Sequence, residues 1–161
     1  MPPSLKLNNN GSVGISVVSF GGIIRDSFDQ VIVVYASPLS PCKVIFAELM
    51  GLLKGLYICN NSGFVNIEIE VDALLLIQII KNEDAFCPQF FYIIRKICTT
   101  LSILDYTIKH VFREGNACAD CLAKLGSRLE EDMEFGIDNL PHILKGLVKL
   151  DKIGLLYIRY G

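Results

Sequence analysis

No apolar run in this chain reaches the ~18–20 residues that cross a bilayer. The longest, Ala73 to Ile80, is interrupted by Gln78 and predicts a buried element, although 52% of the sequence is hydrophobic and mean hydropathy is +0.45. Basic clusters are missing as well. The 15 Lys and Arg are dispersed among 17 Asp and Glu, for a net charge of −2 and a pI near 5.7, which argues against a protein that holds nucleic acid mainly through a basic patch. That balance leaves room for a carboxylate centre loaded with metal, because bound cations reverse the local sign. Cys118-x-x-Cys121 resembles half a zinc site, yet no second CxxC or nearby His pair completes it. Their i, i+3 spacing puts both on one helix face. All six cysteines (42, 59, 87, 98, 118 and 121) lie in apolar surroundings and read as buried thiols, with no disulfide or zinc framework expected. Met1-Pro2-Pro3-Ser4-Leu5-Lys6 lacks a long apolar stretch and a small-residue cleavage site. An intracellular protein without a signal peptide is therefore expected, with nucleus or cytoplasm left open and no membrane partner.

What is present is a chain of 161 residues, enough for one substantial core. Leu5 to Asn9 alternates as a short strand and runs into Asn10-Gly11-Ser12, a turn signature. Val13 to Ile24 and Val31 to Ala36 read as second and third strands from their β-branched content. After Ser37-Pro38-Leu39-Ser40-Pro41, Val44 to Ile58 has helical length and is apolar nearly all round. A fourth strand alternates from Val65 to Val71, and Ala73 to Lys81 is a short apolar helix. A third helix runs from about Gln89 to Leu101, and a fifth strand from Tyr106 to Phe112. The stretch His110-Val111-Phe112-Arg113-Glu114-Gly115-Asn116 then turns into a last apolar-periodic helix. Beyond Gly126 come an acidic run, Arg128-Leu129-Glu130-Glu131-Asp132, and an amphipathic stretch from Pro141 to Leu150. The division expected is residues 1–126 as one domain and 127–161 as an acidic linker with a helical extension.

Three acids stand out by position. Glu48 is the only acidic residue between Asp29 and Glu68; inside a buried helix its charge costs several kcal/mol unless it is paired or holds a metal. It either faces a narrow solvent strip, pairs with Lys43 or Lys54, or serves a site. Asp72 closes the fourth strand, where it is equally suited to capping the next helix. Asp120 sits about one turn into the last helix, near its positive end, behind Asn116 as a good N-cap.

Taken together, Ala47-Glu48-Leu49, Glu70-Val71-Asp72 and His110-Val111-Phe112-Arg113-Glu114-Gly115-Asn116…Ala119-Asp120-Cys121-Leu122-Ala123, in this element order, resemble type 1 ribonuclease H. More narrowly the chain is similar to the plant ribonuclease H-like domains related to retroelement reverse transcriptases, which share Gly21-Gly22-Ile23-Ile24-Arg25-Asp26. The resemblance covers roughly Lys6 to Gly126 and implies a mixed α/β fold: a five-stranded sheet, three antiparallel strands then two parallel, with helices on both faces. It implies carboxylates that hold two Mg²⁺ ions, with Mn²⁺ as substitute, across the scissile phosphate of the RNA strand in an RNA–DNA hybrid. One ion activates water and the other stabilises the leaving oxygen, and hard oxygen ligands suit both. By motif, Glu48, Asp72 and Asp120 correspond to metal ligands and His110 to a mobile histidine that assists product release or proton transfer. Gly11, Ser12 and Asn116 correspond to positions that meet the nucleic acid, where the 2′-OH and groove shape distinguish RNA from DNA.

One position departs from the pattern. Where the family's first strand ends in Asp-Gly-Ser, this chain has Asn10-Gly11-Ser12, and no Asp or Glu precedes Asp26 to take over. An amide offers one neutral oxygen in place of two charged ones. Since losing even an outer partner of a metal typically costs ~10–100-fold, the expectation is weakened metal binding and impaired hydrolysis on a retained fold. Asn-Gly is also the dipeptide most prone to deamidation, which would restore Asp at position 10. Two functions remain in view, an impaired ribonuclease H-type endonuclease and a catalytically silent module that binds nucleic acid or protein.

Overall fold

The first strand, β1 (Ser4–Val13), places Leu5 and Leu7 two apart and follows them with three consecutive asparagines, and the pleat of that strand sets the layers of the molecule. Leu5, Leu7 and Asn9 point to one face of the sheet, and Asn8 and Asn10 to the other. The computed structural model describes residues 4–63, 66–82 and 88–136, together with Lys145. After β1 come β2 (Val18–Asp26), β3 (Val31–Leu39), α1 (Val44–Asn61), β4 (Asn66–Val71), α2 (Leu74–Asn82), α3 (Phe91–Leu101), β5 (Asp105–His110), α4 (Ala117–Gly126) and β6 (Met133–Gly136). Short 3₁₀ turns, Pro88–Phe90 and Arg113–Asn116, lead into α3 and α4.

The strands lie in the order β5-β4-β1-β2-β3-β6, which puts β1 near the middle. β1, β2 and β3 pair antiparallel, whereas β4 and β5 add in parallel on the other side of β1. On one face, Leu5, Leu7, Phe20, Ile24 and Tyr35 pack with Leu49, Leu52 and Leu56 of α1 and with the apolar stripes of α2 and α3. On the other, Ile23, Val31 and Val34 pack with Cys118 and Leu122 of α4. Each fully buried aliphatic side chain contributes ~1.5–3 kcal/mol, so the two faces hold α1 and α4 against β1 from opposite sides. Among the described residues no helix is long and apolar enough to cross a membrane.

The sheet has six strands where the sequence predicts five. Met133-Glu134-Phe135-Gly136 is too short and too charged to read as a strand by itself. It forms by pairing antiparallel with β3, and Lys54 of α1 holds Asp132 at 3.1 Å and Glu134 at 2.8 Å. The acidic run is thus partly answered by the lysine that the sequence offers to Glu48. The amphipathic stretch from Pro141 to Leu150 lies outside the described residues apart from Lys145.

A second correction concerns Asn10-Gly11-Ser12, which is strand and not turn. β1 continues in register with β2, Gly11 opposite Phe20 and Ser12 opposite Ser19, and the chain reverses at Gly14, whose N–H donates to Val17 O at 2.7 Å. Gly11 serves a close approach instead: a Cβ there would sit 2.9 Å from both Ala47 Cβ and Glu48 N. Gly21 plays the same part on the opposite face, where a Cβ would come within 2.5 Å of the Leu122 and Ala123 backbone. The contact is backbone, which cannot swing aside, so Gly21→Ala must push α4 off the sheet. We expect it to lower stability by ~1–3 kcal/mol and to displace Asp120 with the helix; urea unfolding and the chemical shift of the Asp120 amide measure the two effects.

Candidate functional site

The three asparagines of β1 are 2%, 0% and 4% exposed at Asn8, Asn9 and Asn10. A buried amide must find partners, and each sends its NH₂ to a different element. Asn8 Nδ2 donates to Glu70 Oε1 of β4 at 3.1 Å and to Asn116 Oδ1 at 3.2 Å. Asn9 Nδ2 donates to the Glu48 carbonyl of α1 at 3.1 Å. Asn10 Nδ2 donates to Asp120 Oδ1 of α4 at 3.2 Å, while its own Oδ1 accepts from Gly11 N–H at 3.0 Å. These bonds gather α1, the end of β4, the turn before α4 and α4 itself around one end of β1.

Asn116 does something other than cap. It occupies the N-cap position of α4 but makes no side-chain bond to the helix. Only 1% exposed, it donates from Nδ2 to Asn9 O at 3.0 Å and accepts from Asn8 Nδ2 on Oδ1 at 3.2 Å. Asn8 and Asn9 hold it against the sheet, which wins over the local capping bond. Asp120 does lie in the first turn of α4. Its second oxygen, Oδ2, is 3.0 Å from Lys124 Nζ, one turn further along the helix.

Glu48 is 6% exposed, and its Oε2 has no hydrogen-bond partner among the described residues; Asn8 Oδ1 and Asn9 Oδ1 are in the same condition. Burial, reinforced by the negative charge of Asp72 and opposed by the nearby Gly11 backbone, pushes the Glu48 carboxyl up to about 8; Asp120 adds a further upward push. Asp72 is also raised, chiefly by burial, against the downward pulls of Asn116 and Arg113. Glu48, Asp72 and Asp120 therefore feel one another. Lys54, one of the two lysines considered for Glu48, does not relieve it, since it is engaged with Asp132 and Glu134.

His110, the last residue of β5, sits at the rim. It is exposed, with Nε2 3.1 Å from the Asp72 carbonyl and its ring edge-on to Phe112 at 5.9 Å between centroids. An open cleft of about 630 Å³ adjoins the cluster, lined among others by Gly11, Ser12, Val44, Arg113, Asp120 and Lys124. The structure thus brings Asn10, Gly11, Glu48, Asp72, Asn116 and Asp120 together, with Ser12 in the cleft wall and His110 beside Asp72. The sequence reading missed Asn8, Asn9 and Lys124. Three successive amides in one strand, and a lysine four residues after Asp120, were the available signals.

The donor set does not fit a bridged pair of ions. Among the described residues no three His, Cys, Asp or Glu side chains form a group close enough to hold a metal. The residue between Glu48 and Asp120 presents an NH₂ donor where a second anionic oxygen would be needed, and both Asp120 oxygens are already engaged.

The raised carboxyl of Glu48 has a consequence for stability. Between its ordinary value near 4.5 and about 8, the folded protein keeps a proton that the unfolded chain releases, so this group's contribution falls as pH rises through that window and is flat above it. Glu48→Gln removes the titration. We expect the variant to gain a few kcal/mol relative to the natural protein between pH 5 and 9, read as a loss of pH slope in urea midpoints.

Three comparisons bear on this arrangement. The reverse transcriptase-like family profile matches residues 8–126. A protein of Arabidopsis thaliana named for ribonuclease H is 25% identical over 154 residues, 93% of this chain, and the chain spans 24% of that relative's length. Among solved structures, ribonuclease H1 of Halobacterium salinarum superimposes with a TM-score of 0.71 at 20% identity, covering 76% of this chain and 96% of that one. LC11 ribonuclease H1, solved in complex with an RNA/DNA hybrid, gives 0.68 at 16% identity, covering 78% and 96%. With the fold matched to ribonuclease H and the profile spanning β1 through α4, the chain belongs to the reverse transcriptase-like family of ribonuclease H-type domains.

Proposed function

We propose that this domain is a ribonuclease H-type module that binds RNA–DNA hybrid or a related duplex, with hydrolysis of the RNA strand impaired. The observation that carries the reading is the 3.2 Å bond from Asn10 Nδ2 to Asp120 Oδ1: an amide of the protein donates to the carboxylate that a cation would otherwise neutralise. The complex of LC11 ribonuclease H1 with an RNA/DNA hybrid supports the choice of ligand.

Glu48, Asp72 and Asp120 correspond by motif to ligands of Mg²⁺, or Mn²⁺ in its place, and with the Asn10 amide bonded to Asp120 they do not form a set that holds a pair of ions. The chain's own residues shape the site. Asn9 and Gly11 fix the turn of α1 that carries Glu48, and Gly11 and Ser12 present backbone and hydroxyl to the strand lying in the cleft. His110 stands at the rim, where a departing product would pass.

Cleavage of a labelled RNA–DNA hybrid with Mg²⁺ or Mn²⁺ tests the reading. The natural protein, with mass spectrometry showing Asn10 unmodified, is expected to cleave at least ~10–100-fold more slowly than Asn10→Asp. If Asn10→Asp is equally inert and Asp120→Asn leaves metal binding unchanged, the assignment of these residues fails.

A further inference from the structure

The two edges of the sheet are unequal. β6 is four residues long, whereas β5 has six, without proline, glycine or bulge, and no strand among the described residues pairs with its outer side. Five of the six are exposed, and only Ile108 is half-buried. A bare edge invites pairing, and natural sheets commonly guard one with a lysine, a proline or a bulge. Here the lysine is drawn inward: Lys109 Nζ lies 2.8 Å from Glu68 Oε1 and 3.2 Å from Glu70 Oε2 of β4.

The pairing with β4 fixes which groups point outward. Val111 N–H donates to Val71 O at 2.8 Å, so by alternation Asp105, Thr107 and Lys109 also turn their backbone toward β4. Tyr106, Ile108 and His110 turn N–H and C=O to the free edge. The side chains divide in the same way. Asp105, Thr107 and Lys109 stand on the face of Glu68 and Glu70, and Tyr106 and Ile108 on the face of Ile67 and Ile69.

Two copies of one strand that join a single sheet about a twofold axis run antiparallel. Opposed side chains must share a face, so the axis passes through a residue. With the axis at Thr107, Tyr106 and the partner's Ile108 exchange backbone hydrogen bonds, and Asp105 stands opposite the partner's Lys109. With the axis at Ile108, Asp105 would face the partner's Val111 and Lys109 the partner's Thr107, and the charge match is lost.

We propose that β5 is an interface for a second copy of this chain, paired antiparallel through its free edge with Thr107 on the twofold axis. Charge then alternates along one row, Glu70, Lys109 and the partner's Asp105. On the other face the apolar row Leu5, Ile67, Tyr106 continues into the partner's Ile108, Ile69 and Leu7. Antiparallel pairing puts the two copies of His110 at opposite ends of the joint sheet, which leaves both acidic sites uncovered. The proposal is independent of the function proposed above.

Sedimentation equilibrium of the full chain over a wide concentration range tests it. A strand edge buries less than the ~1,200–2,000 Å² of a stable interface, so the expected dimer dissociates in the micromolar range or above. Asp105→Lys, at an exposed position, is expected to weaken it ~10-fold, because the symmetry makes each substitution act twice. Tyr106→Pro removes an outward N–H while sparing the ladder to β4 and is expected to abolish the dimer, with circular dichroism showing the fold intact. Under diamide, Thr107→Cys is expected to link two chains faster than either Ile108→Cys or the natural protein, since opposed residues without mutual backbone bonds lie ~4.5 Å apart at Cα. A monomer at every concentration overturns the proposal. A dimer indifferent to both Asp105→Lys and Tyr106→Pro, or faster linkage through Ile108→Cys, overturns it as well.

Discussion

Three adjacent asparagines buried in a central strand impose the constraint on which this molecule depends. Leaving one buried amide unpaired costs ~1–3 kcal/mol, so each NH₂ must reach a partner, and the pleat sends them alternately to opposite faces. Asn9 finds α1, whereas Asn8 and Asn10 find the end of β4 and the two ends of the turn that opens α4. The polar requirement of one strand therefore brings together Glu48, Asp72 and Asp120, which are far apart in sequence. Close backbone approach completes the clamp. Gly11 lets α1 down onto one side of the strand pair and Gly21 lets α4 down onto the other, each where a methyl group would collide with backbone.

Charge follows from that geometry. Bringing the buried Glu48 beside the half-buried Asp72 and Asp120 concentrates negative charge, and the protein answers it in three ways: the Asn10 amide, the ammonium of Lys124, and a proton retained by Glu48 into the neutral range. A carboxylate at position 10 would remove the first of these and add a fourth charge. The Asn10 amide thus lets the corner stay hydrogen-bonded by itself.

Much of this was legible before the structure. β-branched runs and their spacing marked the first five strands, and the all-round apolar character of Val44 to Ile58 marked α1 as buried. The motif order carried the family and singled out Glu48, Asp72, Asp120 and the departure at Asn10. Less legible were features decided by distant partners. Asn10-Gly11-Ser12 has turn composition, yet pairing with β2 and contact with Ala47 keep it extended. Asn116 has capping chemistry, yet Asn8 and Asn9 claim its side chain. β6 has no strand signature and exists because β3 offers an open edge and Lys54 a counter-charge.

The sequence by itself determined the order of the first five strands and four helices and which residues are acidic, because periodicity and residue type are local properties that survive without coordinates. Only the tertiary structure decided what each polar side chain bonds to. Hydrogen bonds and ion pairs depend on which groups arrive within about 3 Å, and that is settled by packing across the sheet between residues more than a hundred positions apart, as Asn10 and Asp120 are.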